Sequence, residues 1–573
     1  MLNNLNPKQG KSSATTPNLH DFPQHSTAQP STARSPAISI RPHLRIPTLL
    51  SPYCAPTFSP RAGGPSSPSS PQIIPTPTPR STASSELLHP TQAPAMAGMY
   101  RPEPQNPAAR RPRLVVILLG SFFAFQLLLF VAFRSAPPPK LASTAAATSS
   151  PVPEPPPSRG PEDSGCGGGL VYVYELPAVF NEDLLAMCDT LMPMYSVCPY
   201  LANDGLGFPA EGTSLSAILP AELLGPWHSS DQFALEHIVH RRLLSHRCRT
   251  TDPARAQAFF VPFYAGLAVG RHLWSANATD ADRDRDCVAL LSWLHAQPYY
   301  KRSNGWDHFL ALGRITWDFR RSPSGGWGGS FLAMPGVANV TRLVIEREPW
   351  DAMDVGIPYP TGFHPRTAAD ARAWQQYVTS VPRPRLFAFA GAPRSAIKGD
   401  FRALLLNDCQ AAGAECGALD CAEGKCIKDN GLVLELFMGA RFCVQPRGDS
   451  FTRRSLFDCM VAGAVPVLFW RRTAYLQYHW YLPTKDGQEG EWSVFIDRDE
   501  LRAGNVTVRG VLAAIPEERV RKMRERVVEM IPRLVYSAAD KDGLGGGMKD
   551  AMDVMIDGML RRVAEQRRNW KRT

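Results

Sequence analysis

Residues Pro446-Arg447-Gly448-Asp449-Ser450-Phe451-Thr452-Arg453-Arg454-Ser455 form a polar Gly/Ser turn carrying neighbouring arginines. The turn follows Gln445 and the apolar run Phe442-Cys443-Val444, opens an amphipathic segment from Leu456 to Ala462, and is followed by a second apolar run, Val465 to Trp470. The pattern is strand, turn, helix, strand. A helix start offers unpaired backbone N–H groups and partial positive charge, and arginine adds a planar fork of donors, so the segment suits a diphosphate. The same spacing allows a capped surface helix with solvated arginines, because neither the dinucleotide nor the P-loop glycine pattern is present.

The surrounding elements predict an α/β fold. Leu170 to Leu176, Ala258 to Tyr264, Asp307 to Leu312 and Arg342 to Glu346 read as strands, with an amphipathic helix over Phe233 to Cys248. Strands separated by helical stretches of this size imply a parallel sheet. Ile357-Pro358-Tyr359-Pro360-Thr361 is broken by proline and reads as an interdomain or cleft loop. A second set starts at Arg385 to Gly391, runs through the arginine turn to Ser493-Val494-Phe495-Ile496, and ends in helices over Pro516 to Val535 and Lys549 to Arg568. The expected divisions are a first α/β domain over 166–380, a second over 381–535 and a helical tail over 536–573.

The 573 residues are 44% hydrophobic, enough for one large or two medium cores. The formal charge of +10 gives weak support to an anionic ligand, and no basic module interleaved with aromatics points to nucleic acid. Residues 1–113 are dense in Pro, Ser and Thr and are expected to be a disordered cytosolic arm; Met96 or Met99 is a candidate true start. Leu114 to Phe133 is apolar, uncharged and long enough for one transmembrane signal-anchor helix. Arg110, Arg111 and Arg113 before it, against a lone Arg134 after it, predict a luminal body on a Pro-rich stem over 134–165. Glycosylation sequons at Asn277, Asn339 and Asn505 and eleven of the twelve cysteines follow the span, as an oxidising lumen requires. The odd count leaves at least one thiol free or paired between chains, and Cys443 and Cys459, in apolar contexts, are the expected buried free thiols.

Several strings carry a family resemblance. Tyr172-Val173-Tyr174-Glu175-Leu176-Pro177 and Ala258 to Gly266 resemble exostosin-type glycosyltransferases of family 47. Asp307 to Leu310, Gly313 to Arg321, Gly356 to Thr361, Phe363 to Pro365, Phe389 to Arg394 and Gln445 to Ser455 are similar to the plant xyloglucan galactosyltransferase (katamari-type) clade. The resemblance covers roughly residues 166 to 535. It implies a GT-B fold of two Rossmann-like domains with a cleft, a Golgi location, UDP-galactose as donor, xyloglucan as acceptor and inversion to a β-linkage. It places the nucleotide in the second domain, on Gln445, Arg447, Gly448, Asp449, Ser450, Arg453 and Arg454, with Asp458 near the ribose. Which of the adjacent arginines faces the diphosphate stays open, because other exostosins carry a shorter Ser-x-Arg spacing.

Inverting transfer needs a base for the acceptor hydroxyl and positive charge for the departing diphosphate. Asp318 and Glu346 are the leading base candidates, followed by Asp307 and His308, each of which could instead be a structural hydrogen-bonding residue. Asp497-Arg498-Asp499 and the ladder Asp280, Asp282, Asp284, Asp286 could bind a metal; a capped helix and a solvated face are the expected outcomes, and no metal is expected to be required. His237 and His240, with Glu236 alongside, lack the zinc-protease pattern and are expected at the surface. Cys409, Cys416, Cys421 and Cys426 lack paired knuckles, so disulfides are expected. Trp306, Trp317, Trp327 and Trp350 could stack on sugars, with one or two lining a groove and the rest in the core. Expected partners are the UDP-sugar, the polysaccharide, the Golgi membrane and other Golgi glycosyltransferases. The alternatives are another donor or acceptor (galacturonate, arabinose, mannan) or a catalytically silent scaffold.

Overall fold

Short strands with almost no exposed residue seed two all-parallel sheets, the pattern expected where helices cover both faces. The chain is described by a computed structural model over residues 166–570, except 167–168, 193–194 and 395–399. The arm, the apolar run 114–133 and the stem fall outside the described residues, among which no helix is long and apolar enough to cross a membrane.

The first sheet comprises β1 (Val171–Val173), β2 (Arg249–Thr250), β3 (Ala258–Phe260), β4 (His308–Leu312), β5 (Thr341–Val344) and β6 (Asp354–Gly356). Its order is β2-β1-β3-β4-β5-β6. The second comprises β7 (Arg385–Ala390), β8 (Cys416–Leu419), β9 (Ala440–Gln445), β10 (Val465–Leu468) and β11 (Val494–Phe495), in the order β8-β7-β9-β10-β11. The helices that matter to the site are α1 (Leu235–Ser245), α2 (Ala265–Leu273), α3 (Asp280–Ala296), α4 (Ala368–Ser380), α5 (Phe401–Ala412), α6 (Asn430–Met438), α7 (Arg454–Val461), α8 (Arg498–Arg502), α9 (Glu517–Leu534) and α10 (Ala551–Trp570).

The two halves exchange packing segments. Ala210, Leu215, Leu219 and Trp227, from the first half of the chain, join Trp374, Val433, Phe437 and Cys459 in one core. In return, Leu456, Phe457, Met460, Tyr478 and most of the apolar face of α10 join the core under the first sheet. The core of each half therefore includes side chains from the other. Ile357 to Thr361 forms no regular element and is buried where the halves meet: Tyr536 Oη donates to the Pro358 carbonyl (2.8 Å), and Tyr359 Oη meets Thr452 Oγ1 (2.9 Å).

The cysteines correct one expectation. Cys443 and Cys459 are bonded to each other; among the described residues the free buried thiol is Cys287. The strand ending before the turn and the helix leaving it bring the two Cα atoms to 6.2 Å, within disulfide reach. The remaining pairs are Cys166–Cys248, Cys188–Cys198, Cys409–Cys416 and Cys421–Cys426, so the tempting four-cysteine cluster is two short disulfide loops.

Candidate functional site

In open parallel sheets ligands bind beyond the carboxyl ends of the strands. The arginine turn leaves the carboxyl end of β9, and Gln445, the last strand residue, is fully buried. Its Oε1 accepts from Ser455 Oγ (2.7 Å), while its Nε2 has no hydrogen-bond partner among the described residues. The turn is tight at Gly448, where a Cβ would stand 3.0 Å from the Thr452 carbonyl. α7 begins at Arg454 with no side-chain cap on its first N–H groups.

The adjacent arginines point to different tasks. Arg454 Nη1 donates to the Ser230 carbonyl (2.6 Å) and its Nε pairs with Asp458 (3.3 Å) one turn on, so its guanidinium ties the two halves together. Arg453 Nη2 donates to the Ala390 carbonyl at the end of β7 (2.7 Å), but its Nη1 is buried without a partner. Arg402 from α5 and Arg394 from the loop after β7 converge on it. Burial, then Arg402 and Arg394, pushes Arg453 down to about 9; burial and Arg394 push Arg402 down to about 10. Arg402 Nε is also buried without a partner, and the carboxylate paired within this group is Asp449, which bonds Arg394 and is itself largely exposed. Arg447 adds a fourth guanidinium, packed over Phe451 (5.1 Å) and donating to the Asp449 carbonyl (3.4 Å). Crowded positive charge with unspent donors suits an anion.

Two carboxylates of the first sheet face this turn. Glu346, just past β5, accepts from Ser450 Oγ and from the Thr452 N–H and Oγ1 (both 2.8 Å). All three of these donors belong to the turn, which makes Glu346 a strut for it. Asp318, past β4, accepts from Trp327 Nε1 (2.7 Å) and Arg314 Nη1 (3.4 Å). Burial pushes its carboxyl above the usual range, and the Asp449 charge adds to that push against Arg314 and Trp327. Asp307 and His308 stand at the amino end of β4, the wrong edge for a ligand. His308 is fully buried, stacked on Phe259 (4.9 Å) and bonded to Tyr174 Oη (2.8 Å) and Asp307 (2.7 Å); burial holds it below the usual histidine value. It is a satisfied core histidine.

Residues 165–512 match the exostosin GT47 domain. The chain belongs to the exostosin GT47 family. Xyloglucan galactosyltransferase XLT2 of Arabidopsis thaliana is 53% identical over 409 residues, 71% of this chain and 78% of the relative. Xyloglucan galactosyltransferase MUR3 of the same plant is 39% identical, over 70% of this chain and 64% of the relative. Xyloglucan-specific galacturonosyltransferase 1, also from Arabidopsis thaliana, is 36% identical, over 70% of this chain and 58% of the relative. This exostosin GT47 protein is accordingly a glycosyltransferase.

The metal decoys of this glycosyltransferase have other occupations. Asp497 caps α8, accepting from the Asp499 N–H (2.8 Å), and Asp499 pairs with Arg498. Asp280 and Asp282 occupy the first turn of α3, where Thr279 and Asp282 form a capping box. The rest of that ladder is not a solvated face, because Asp284 is tied to Arg321 and Ser330, and Asp286 to Arg271. Among the described residues no group of three or more His, Cys, Asp or Glu could hold a metal ion. Asn277, Asn339 and Asn505 are all exposed.

His237 and His240 correct another expectation, since both are buried, and burial lowers each to about 4. Glu236 beside them is buried as well. Its Oε1 accepts from the N–H of Gly266 (2.8 Å) and Gly313 (3.0 Å), beyond the ends of β3 and β4, and its Oε2 is buried without a partner. Arg394 and Arg402 were missed as neighbours of Arg453. Burial pushes Glu236 up to about 7, against the pull of those two N–H groups and Arg314. The folded chain thus keeps a proton that the unfolded chain releases near pH 4, so this contribution is full below that value and lost as pH rises through about 7. Glu236→Gln is expected to remove that loss, gaining about 3 kcal/mol relative to the parent between pH 5 and pH 8. Thermal melts of both proteins at the two pH values check it; identical pH dependence would contradict it.

Proposed function

We propose that this exostosin GT47 enzyme transfers galactose from UDP-galactose to xylosyl side chains of xyloglucan, forming a β-linkage in cell-wall polysaccharide synthesis. The observation that carries the donor side is the convergence of Arg394, Arg402 and Arg453 with unspent buried donors beside the turn. The likeness to relatives named xyloglucan galactosyltransferases supports the sugar and the acceptor. The fold is read as GT-B, with the acceptor on the first sheet and the nucleotide on the second. The enzyme is read as a single-pass type II Golgi membrane protein, glycosylated at Asn277, Asn339 and Asn505 and able to associate with other Golgi glycosyltransferases.

In this mechanism Arg453 and Arg402, with Gln445 Nε2 and the open N–H groups of α7, hold the diphosphate. Asp318 accepts the proton of the acceptor hydroxyl while that oxygen attacks the anomeric carbon from the face opposite UDP. The bond from that carbon to the β-phosphate oxygen breaks, and its electron pair stays on the diphosphate, where Arg453 stabilises it. A raised carboxyl is the stronger base for this task. Glu346 holds Ser450 and Thr452 in place from the acceptor side, and Arg454 with Asp458 fixes the approach of the two halves. No metal is required, since arginine donors supply the positive charge.

The test is a donor panel. The full-length enzyme in detergent is incubated with xyloglucan oligosaccharides and UDP-galactose, UDP-galacturonate or UDP-arabinose, with and without excess chelator. Galactose transfer that chelator leaves intact is the expected result. Preference for another donor would overturn the galactose assignment, and activity restored only by manganese would overturn the arginine-only account.

A further inference from the structure

Trp274, Trp317, Trp327 and Trp350 lie on segments that follow β3, β4 and β5, and Trp317 and Trp327 flank the candidate base Asp318. Trp317 precedes Asp318 in the turn after β4 and is 52% exposed, although Thr316, Asp318 and Phe319 are buried. Trp327 donates to Asp318, and its ring meets that of Trp274 edge-on (5.2 Å); Trp274 is itself 42% exposed. Trp350, on the loop after β5, is 83% exposed, more than any other large apolar side chain among the described residues.

That exposure is not slackness. Arg347 Nη2 donates to the carbonyls on both sides of Trp350, of Pro349 (3.1 Å) and Asp351 (3.4 Å). Arg320, three residues after Trp317, bridges to Asp351 (2.9 Å) and to Asp354 (2.7 Å). Arg342 holds Asp354 from below at 2.7 Å. The two loops bearing exposed indoles are thus pinned to each other and to β5 and β6. Rigid aromatic surface kept in water is unfavourable unless something covers it, and rigidity lowers the entropy cost of covering it.

We infer that Trp317 and Trp350 form a platform for the β-glucan main chain of the acceptor, beyond the side chain that receives the sugar. A β-linked pyranose ring presents a flat face of C–H bonds, and an extended glucan repeats that face along a ribbon. Exposed indoles on adjacent pinned loops match such a ribbon. Asp318, next to Trp317, puts the reacting hydroxyl on a branch of the same chain. A protein partner would use the same surface without reference to glucan, so polysaccharide binding separates the two occupants.

The inference rests on the acceptor proposed above, and its test keeps the two apart. The KM for polymeric xyloglucan and the Kd for UDP are measured on the full-length enzyme and on a Trp317→Ala/Trp350→Ala double variant. The platform predicts a KM raised at least tenfold with UDP affinity within twofold, and Trp350→Phe recovering most of the loss at that position. An unchanged KM would overturn it. If the parent transfers nothing to xyloglucan, the acceptor proposal has failed instead, and retention on immobilised hydroxyethyl cellulose decides the platform. Retention of the parent but not of the double variant upholds it; equal retention, or none by the parent, overturns it.

Discussion

Arg453→Ala is expected to weaken UDP binding at least tenfold and to lower kcat/KM by about two to three orders of magnitude, the usual effect of removing one charge-assisted donor from a developing oxyanion. Arg454→Ala should behave differently. The guanidinium of Arg454 is committed to the Ser230 carbonyl and Asp458, so its loss leaves the half-buried Asp458 unpaired and opens a contact between the halves. The expected result is a lower melting temperature, by about 2 kcal/mol of stability, with UDP affinity within about threefold of the parent. Calorimetric titration with UDP and a thermal melt on each variant make the comparison. A reversed pattern, with Arg454→Ala losing UDP and Arg453→Ala retaining it, would contradict the assignment.

Asp318→Asn should lower kcat by about two to four orders of magnitude and leave UDP affinity unchanged, since it removes the proton acceptor and no donor contact. The pH profile carries the sharper information. A base works only when ionised, so the rate falls as pH drops through the Asp318 pKa. Burial and the Asp449 charge place that fall above the ordinary carboxylate range. Asp449→Asn removes one upward push, so the acid limb should move to lower pH while Asp318 remains the base. Glu346→Gln should leave the limb in place and raise the KM for donor, because Glu346 acts through the turn it holds. An acid limb that moves with Glu346 and ignores Asp449 would assign the base to Glu346.

The strands were legible because parallel strands covered on both faces need near-continuous apolar runs, as in Ala258 to Tyr264 and Phe442 to Val444. The strand, turn and helix around the arginines were legible because they are contiguous. Arg394 and Arg402 were not, since they lie on other segments and meet Arg453 only once β7 is paired beside β9. Neighbours in sequence also diverged: Arg453 is the N-cap residue and points back to β7, whereas Arg454 opens α7 and points to the first half. Cys443 and Cys459 looked like inert thiols because burial of a cysteine reads the same whether or not it is bonded. Their positions on the strand and the helix flanking one turn were the missed signal. Glu236 was hidden by polar neighbours, since His237 and His240 suggested a wet face on a helix that is buried on almost every side.

The most direct measurement of the central claim is the anomeric configuration of the product made by the full-length enzyme from UDP-galactose and a xyloglucan oligosaccharide, read by NMR. One β-linked galactose on a xylosyl residue, formed by the parent and not by Arg453→Ala or Asp318→Asn, is the predicted result. An α-linked galactose, a galactose on the glucan main chain, or no product would contradict it.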